Sequence, residues 1–215
     1  GYFALTDIKV YGALVKDEKE VPKISVNPEN YYKEIPQVKE GVKISISDFD
    51  KDKEEEIFLG NKYFYMIIEP KLGGVISSFK YYKSNKDFTC VKSYENLDGG
   101  MFSDHVTAQS YAGDWYKSPY EYEIIENTDK KIKIKLSCRG KTGALSFITF
   151  TKYITIYSDK SYAEIEYEVV NAKESLIPLS YELWFHNFAG TTNWREKGGV
   201  FYFYPTNKGI VIKDL

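Results

Sequence analysis

The chain has 215 residues, 43% of them hydrophobic and 17% aromatic, with twenty Tyr and thirteen Phe, which is enough for one sizeable core and excludes general disorder. Its 29 basic and 31 acidic residues leave a net charge of −2, so there is no basic excess to neutralise phosphates and nucleic acid is not an expected partner. No apolar run approaches the roughly 20 residues that span a bilayer as a helix, so no membrane partner is expected.

The chain opens on β-formers, YFALTDIKVYG, and then turns polar, with Pro22, Pro28 and Pro36 between Lys16 and Glu40. That pattern predicts a last strand over residues 1–12, then a linker and lead-in over 13–45. From Val42 to Ile46, and again from Lys62 to Ile68, apolar and polar residues alternate. Further strand signals follow at Glu121 to Ile125, Lys131 to Cys138, Leu145 to Ile156 and Ala163 to Val170, parted by the turns ENTDKK, RGKTG and YSDKS. Short strands at this spacing, with little helical periodicity, predict an all-β antiparallel sandwich or barrel over residues 46–215. In KIKIKLS the alternation is clean enough to assign Ile132, Ile134 and Leu136 to a core and Lys131, Lys133 and Lys135 to water.

Three stretches carry chemistry. In SDFDKDKEEE, Asp48, Asp50 and Asp52 recur at alternate positions with Glu56 following, the oxygen-ligand spacing of a DxDxD calcium loop, where Ca²⁺ would be structural. The usual glycine after the third Asp is Lys53, so the tight turn is not assured, and a solvated charged turn is the competing reading. The stretch SDHVTAQSYAGDWY lacks periodicity and is rich in polar and aromatic residues, which is the composition of a functional loop or of one that covers a core edge. The third stretch is SYELWFHNFAG. In extended chain Glu182, Trp184, His186 and Phe188 share one face, and Tyr181, Leu183, Phe185 and Asn187 the other. An indole beside an acid and an imidazole makes a platform for a sugar, with its apolar C–H face and rim of hydroxyls; a strand packed on both faces is the alternative. Cys90 and Cys138 are either a disulfide pair or two buried thiols. No nucleotide-binding glycine pattern or nucleophilic triad appears, and with two histidines and two cysteines zinc is not expected.

The opening LTDIKVYG resembles the phrase on which discoidin-type carbohydrate-binding modules close, which would make residues 1–12 the end of a preceding module. The stretch NKYFYMIIEPKLGGVISSFKYYKSNKDFT resembles the first hairpin of the galactose mutarotase-like β-supersandwich, and GGMFSDHVTAQSYAGDW and SFITFTKYITIYSDKSYAEIEYEVVNAKESLIPLSYELWFHN extend the resemblance over about residues 46 to 215. It is similar to aldose 1-epimerases in placing His186 late and His105 near the middle of the chain, although Phe185 stands where epimerases have Asn, and their later glutamate has no counterpart assignable by position. It is also similar, through DFDKDKEEEIFLGNKYF, FSDHV and YELWFHN, to the C-terminal sandwich of family 57 α-amylases and 4-α-glucanotransferases, which accompanies a separate catalytic barrel.

These likenesses imply a carbohydrate-binding or glycosidase-accessory sandwich within a larger, secreted or surface-located carbohydrate-active protein, with neighbouring domains as partners. On this reading Trp184, Trp115 and Trp194 stack on sugars, Asp104, Gln109, Asp114, Glu182 and Asn187 meet hydroxyls, and Arg195 lies close by. The enzymatic alternative is an epimerase or other carbohydrate enzyme, with His186 as acid, His105 binding the sugar or sharing that role, and Glu182 as base. A third reading is a Ca²⁺-stabilised spacer domain of a surface protein. The chain stops inside a strand-like GIVIKDL, so the expectation is either that its parent domain continues or that another strand order closes it.

Overall fold

The computed structural model describes residues 8–14, 32–83, 86–87, 89, 91–93, 98–107, 114–141, 143–172, 182–186, 194–197, 200–203 and 208–213. In chain order the strands are β1 (Ile8–Leu14), β2 (Val42–Ser47), β3 (Glu56–Asn61), β4 (Phe64–Glu69), β5 (Val75–Tyr81), β6 (Lys86–Asp87), β7 (Val91–Ser93), β8 (Asp98–Gly99), β9 (Ser103–Thr107), β10 (Glu121–Asn127), β11 (Lys131–Arg139), β12 (Ile148–Tyr157), β13 (Tyr162–Asn171), β14 (Glu182–His186), β15 (Trp194–Lys197), β16 (Val200–Phe203) and β17 (Lys208–Lys213). The predicted segments become β2, β4 and β10–β13, with one change at the start of β12: Leu145 falls in a 3₁₀ turn, Gly143–Phe147, before the strand begins.

Every strand pair is antiparallel. One sheet has the order β10-β11-β12-β13-β1-β17-β16-β15, a second has β2-β3-β4-β5-β6, and β14-β9 and β7-β8 form two ribbons. The opening strand β1 lies inside the large sheet, Ile8 opposite Ile165 of β13 and Lys9 opposite Lys213 of β17.

Period-two patterning explains how the layers meet. Ile57 and Leu59 of β3, Phe64, Met66 and Ile68 of β4, and Ile76 and Phe79 of β5 form one core cluster with Ile132, Ile134 and Leu136 of β11, Phe150, Ile154 and Ile156 of β12, and Ile165 of β13. The two large sheets therefore pack face to face, and the protein is an all-β sandwich. The three apolar residues of KIKIKLS are fully buried as expected. Its lysines are half-buried, because Lys133 is held by Glu166 at 2.6 Å and lies over the Tyr153 ring, and Lys131 pairs with Glu126 at 2.7 Å.

The five-stranded sheet is covered on its other face too. Phe58 and Ile67, whose side chains point away from the main core, meet Val38 and Phe49, with Tyr32, Ile35 and Tyr65 alongside. The segment 32–38 thus forms a third layer. At the hairpin between β3 and β4, the buried Asn61 side chain donates to the carbonyls of Tyr157 (2.7 Å) and Lys160 (2.8 Å) and accepts from the amides of Tyr63 and Phe64, joining the two sheets at one corner.

The LGG phrase forms a turn that receives the loop before β10. Pro70–Leu72 makes one 3₁₀ turn, and Gly73 and Gly74 continue at φ 85° and 60°, a region open to glycine without penalty. A Cβ on Gly73 would lie 3.0 Å from the Lys117 amide nitrogen. Gly73 donates to the Ser118 carbonyl (3.0 Å) and the Tyr120 amide to that of Pro70 (2.8 Å), which fixes residues 114–120 against the turn.

Candidate functional site

Five of the expected site positions lie on one ribbon. In the β9–β14 ladder Glu182 is opposite Thr107, Trp184 opposite His105, and His186 opposite Ser103, while Leu183 and Phe185 oppose Val106 and Asp104. Opposed positions of an antiparallel pair belong to the same face, so this register assigns both histidines, Trp184 and Glu182 to one face and Asp104 to the other. Ser103 and Asp104 are consecutive, hence on different faces, and both are buried. Both faces of β9 are therefore buried at Ser103 and Asp104.

Asp104 is not a free sugar ligand, a correction to its expected role. Its Oδ2 accepts from Lys152 Nζ at 2.6 Å and its Oδ1 from the Tyr167 hydroxyl at 2.8 Å, and Lys152 Nζ also donates to the Phe102 carbonyl at 2.8 Å. Lys152 has 0% exposure, with its ammonium 5.8 Å from the Tyr120 ring centroid and 5.9 Å from that of Tyr167. Burial pushes the Asp104 carboxyl up and the Lys152 ammonium down, and each charge opposes the shift of its partner. Lys152 and Tyr167 went unnoticed in the sequence. The available signal was parity: Lys152 is in step with Ile148, Phe150, Ile154 and Ile156, so it had to point inward and find a counter-charge.

Trp115 is likewise placed inside. It is 1% exposed and stacks on Phe150 at 5.1 Å and 22°, so neither indole face is open to a sugar, and the expected stacking role is corrected to a core role. Its Nε1 and the Tyr120 hydroxyl are buried without a hydrogen-bond partner. The Asp114 carboxylate, expected to meet hydroxyls, accepts from the Lys141 amide at 2.5 Å and anchors the loop to the end of β11. Trp194 and Arg195 lie on β15, the last strand in the order of the large sheet, opposite Phe203 and Tyr202, and so in a different sheet from the ribbon. Gln109 and Asn187 lie outside the described residues.

The acidic stretch forms a compact loop between β2 and β3. One carboxylate oxygen each from Asp48, Asp50, Asp52 and Glu56 lies within 4.8 Å of the others. An ion bound at 2.3–2.6 Å bridges oxygens up to about 5 Å apart, so these four residues could hold one metal ion. Backbone amides pin the carboxylates: Asp52 N donates to Asp48 Oδ1 and Asp50 Oδ1 (both 3.0 Å), Lys53 N to Asp48 Oδ2 (3.1 Å) and Glu54 N to Asp52 Oδ1 (2.7 Å). The tight turn forms without glycine, as Lys51 and Lys53 take φ 71° and 81°, at a cost of about 1–2 kcal/mol each.

Glu56 differs from the three aspartates in being fully buried. Its Oε2 accepts from the Phe49 amide at 2.6 Å and its Oε1 has no partner. Burial foremost, then the charge of Glu69 and those of Asp50 and Asp52, pushes its carboxyl up to about 8. Glu69, on the same face of the sheet, is raised to about 7 by burial, tempered by hydrogen bonds. Its Oε1 accepts from Ser77 Oγ (2.7 Å) and lies 2.8 Å from the Tyr32 hydroxyl, which is itself 2.5 Å from Ser77 Oγ. Of the two cysteines, Cys138 is a buried free thiol, and Cys90 lies outside the described residues.

No family model and no curated protein matches the chain. Among solved structures it is similar to a 4-alpha-glucanotransferase from Thermococcus litoralis, with 24% identity and a TM-score of 0.47 over 61% of this chain and 25% of that one. It is also similar to a TPR-domain containing protein from Parabacteroides distasonis ATCC 8503, with 16% identity and a TM-score of 0.38 over 53% of this chain and 20% of that one. The chain therefore spans a quarter and a fifth of these two proteins.

Proposed function

We propose that this chain is a carbohydrate-binding or glycosidase-accessory β-sandwich of the galactose mutarotase-like type, acting beside neighbouring domains in a secreted or surface carbohydrate-active protein. The observation that supports it best is the β9–β14 register, which brings Trp184, His105, His186 and Glu182 to one face of a short ribbon. Because the ribbon is covered at Ser103, the sugar enters from the Glu182–Thr107 end. There an indole can stack on a pyranose while acid and imidazole meet its hydroxyls. The phrase order from NKYFYMIIEPKLGG to YELWFHN supports the same reading.

A second reading rests on the two histidines reaching one ladder one step apart. It is an epimerase in which His186 protonates the ring oxygen, His105 shares that role, and Glu182 takes the anomeric proton. In both readings Ca²⁺ at Asp48, Asp50, Asp52 and Glu56 is structural. The test is tryptophan fluorescence titrated with mono- and oligosaccharides, for wild type and Trp184→Ala, with mutarotation assayed on any sugar that binds. Trp115, stacked in the core, gives a constant background. A saturable change lost in Trp184→Ala supports binding, and mutarotation lost in His186→Ala promotes the epimerase. No response from folded protein overturns both and leaves the spacer reading.

A further inference from the structure

The cation loop and the outermost layer of the sandwich share a residue, Phe49. Its side chain is 4% exposed and packs with Val38, Phe58 and Ile67, its ring 6.4 Å from that of Phe58. Its amide donates to Glu56 Oε2 at 2.6 Å, and its carbonyl accepts from the Lys33 amide at 2.7 Å. One residue thus joins a ligand-bearing side chain on β3 to the lead-in segment, which continues with Tyr32 at Glu69 and Ser77, and with Ile35 and Val38 on the sheet.

Four acidic groups within 4.8 Å would not by themselves make a site. The second observation is Glu56: its side chain is 0% exposed, its Oε1 has no donor, and it belongs to the same oxygen cluster. A buried carboxylate oxygen without a hydrogen bond is costly, and here the gathered oxygens of Asp48, Asp50 and Asp52 lie within 4.8 Å of the Glu56 carboxylate. Without an external cation, swinging the loop outward relieves the repulsion among them. Doing so withdraws the Phe49 amide from Glu56 and, through the same peptide units, the carbonyl from Lys33.

We propose that a divalent cation of the calcium type, held by Asp48, Asp50, Asp52 and Glu56, acts as a clasp that docks residues 32–38 on the outer face of the five-stranded sheet and so fixes the path by which the chain enters the sandwich. This rests on the Ca²⁺ reading given above. The cation offsets the negative charge of the cluster and gives Glu56 Oε1 a partner, and oxygen-only ligands suit Ca²⁺, which tolerates irregular geometry, better than Mg²⁺, which keeps its waters.

The experiment pairs two readouts on the full chain. Calorimetric titration with Ca²⁺, and with Mg²⁺ as control, measures binding; amide hydrogen exchange with Ca²⁺ or with chelator measures docking. The expected result is Ca²⁺ binding with at least tenfold slower exchange at Lys33 and its neighbours, both lost in Glu56→Gln and in Asp52→Asn. The second variant alters an exposed side chain and so tests the site if the first fails to fold. Absence of Ca²⁺ binding overturns the site and the clasp together. Binding with unchanged exchange over 32–38 overturns the clasp and leaves the site.

Discussion

Two groups of buried carboxylates sit on the two faces of the five-stranded sheet, and they are neutralised differently. On the inner side Asp104 has a fully buried lysine at 2.6 Å and a tyrosine hydroxyl at 2.8 Å. On the outer side Glu56 and Glu69 are raised to about 8 and about 7, and the described hydrogen bonds to them come from an amide and hydroxyls, with no lysine or arginine among the donors. The inner group is electrically complete within the fold. The outer one has no such cation among its described partners, so it is open to protons from solution and, on the proposed reading, to a metal ion; the same fold contains one electrostatic unit indifferent to its surroundings and one expected to respond to them.

Breaking the inner unit has the largest expected effect. Lys152→Met leaves Asp104 buried without its cation and should cost about 3–5 kcal/mol in denaturant unfolding, whereas Lys152→Met combined with Asp104→Leu should recover much of that loss. If the single variant is nearly neutral, the pair is not the closed unit described. The outer unit should gain stability from solution: Ca²⁺ at a hundred times its dissociation constant is expected to raise unfolding free energy by about 2.7 kcal/mol, a gain absent in Glu56→Gln when followed by thermal melting.

Smaller effects sharpen the contrast. Glu69 has a folded pKa of about 7 against an ordinary value of 4.5, so the folded state holds the proton more firmly and its stabilising contribution is full below about 4.5. That contribution is lost as pH rises through 7, on the order of 3 kcal/mol. With chelator present, the pH slope of urea unfolding between those limits should therefore be shallower in Glu69→Gln than in wild type. The smallest change is Lys53→Gly. Relieving a left-handed lysine at φ 81° should stabilise the protein by about 1 kcal/mol, visible as a raised urea midpoint with unchanged slope.

The parts of the structure governed by period-two patterning were legible in the sequence. Ile132, Ile134 and Leu136 announce a buried face, and the acidic spacing at 48, 50 and 52 announces a loop that gathers its carboxylates, because in both cases the relevant neighbours are local. Pairings between distant segments were not. Trp115 reads as an exposed platform until Phe150 is placed beneath it, and Asp104 reads as a hydroxyl partner until Lys152 arrives from β12. The burial of Glu56 and Glu69 was not legible, since nothing in EEEIFLGN or MIIEPKL shows that Phe49 and Tyr32 come to lie against them. Left-handed Lys53 shows the converse: glycine was sought as a condition for the turn, and a lysine meets it at some strain.

The location of β1 bears on how the protein acquires its shape. Hairpins such as β11–β12 and β12–β13 close over short loops and can form early, but Ile8 must find Ile165, and Lys9 must find Lys213. Closing such long loops is entropically expensive and slow. Among the described strands β1 precedes both of its partners, so it must wait for β13 and then β17, and until each pairing is made the unpaired edges of β1 and of its partner invite pairing with other chains.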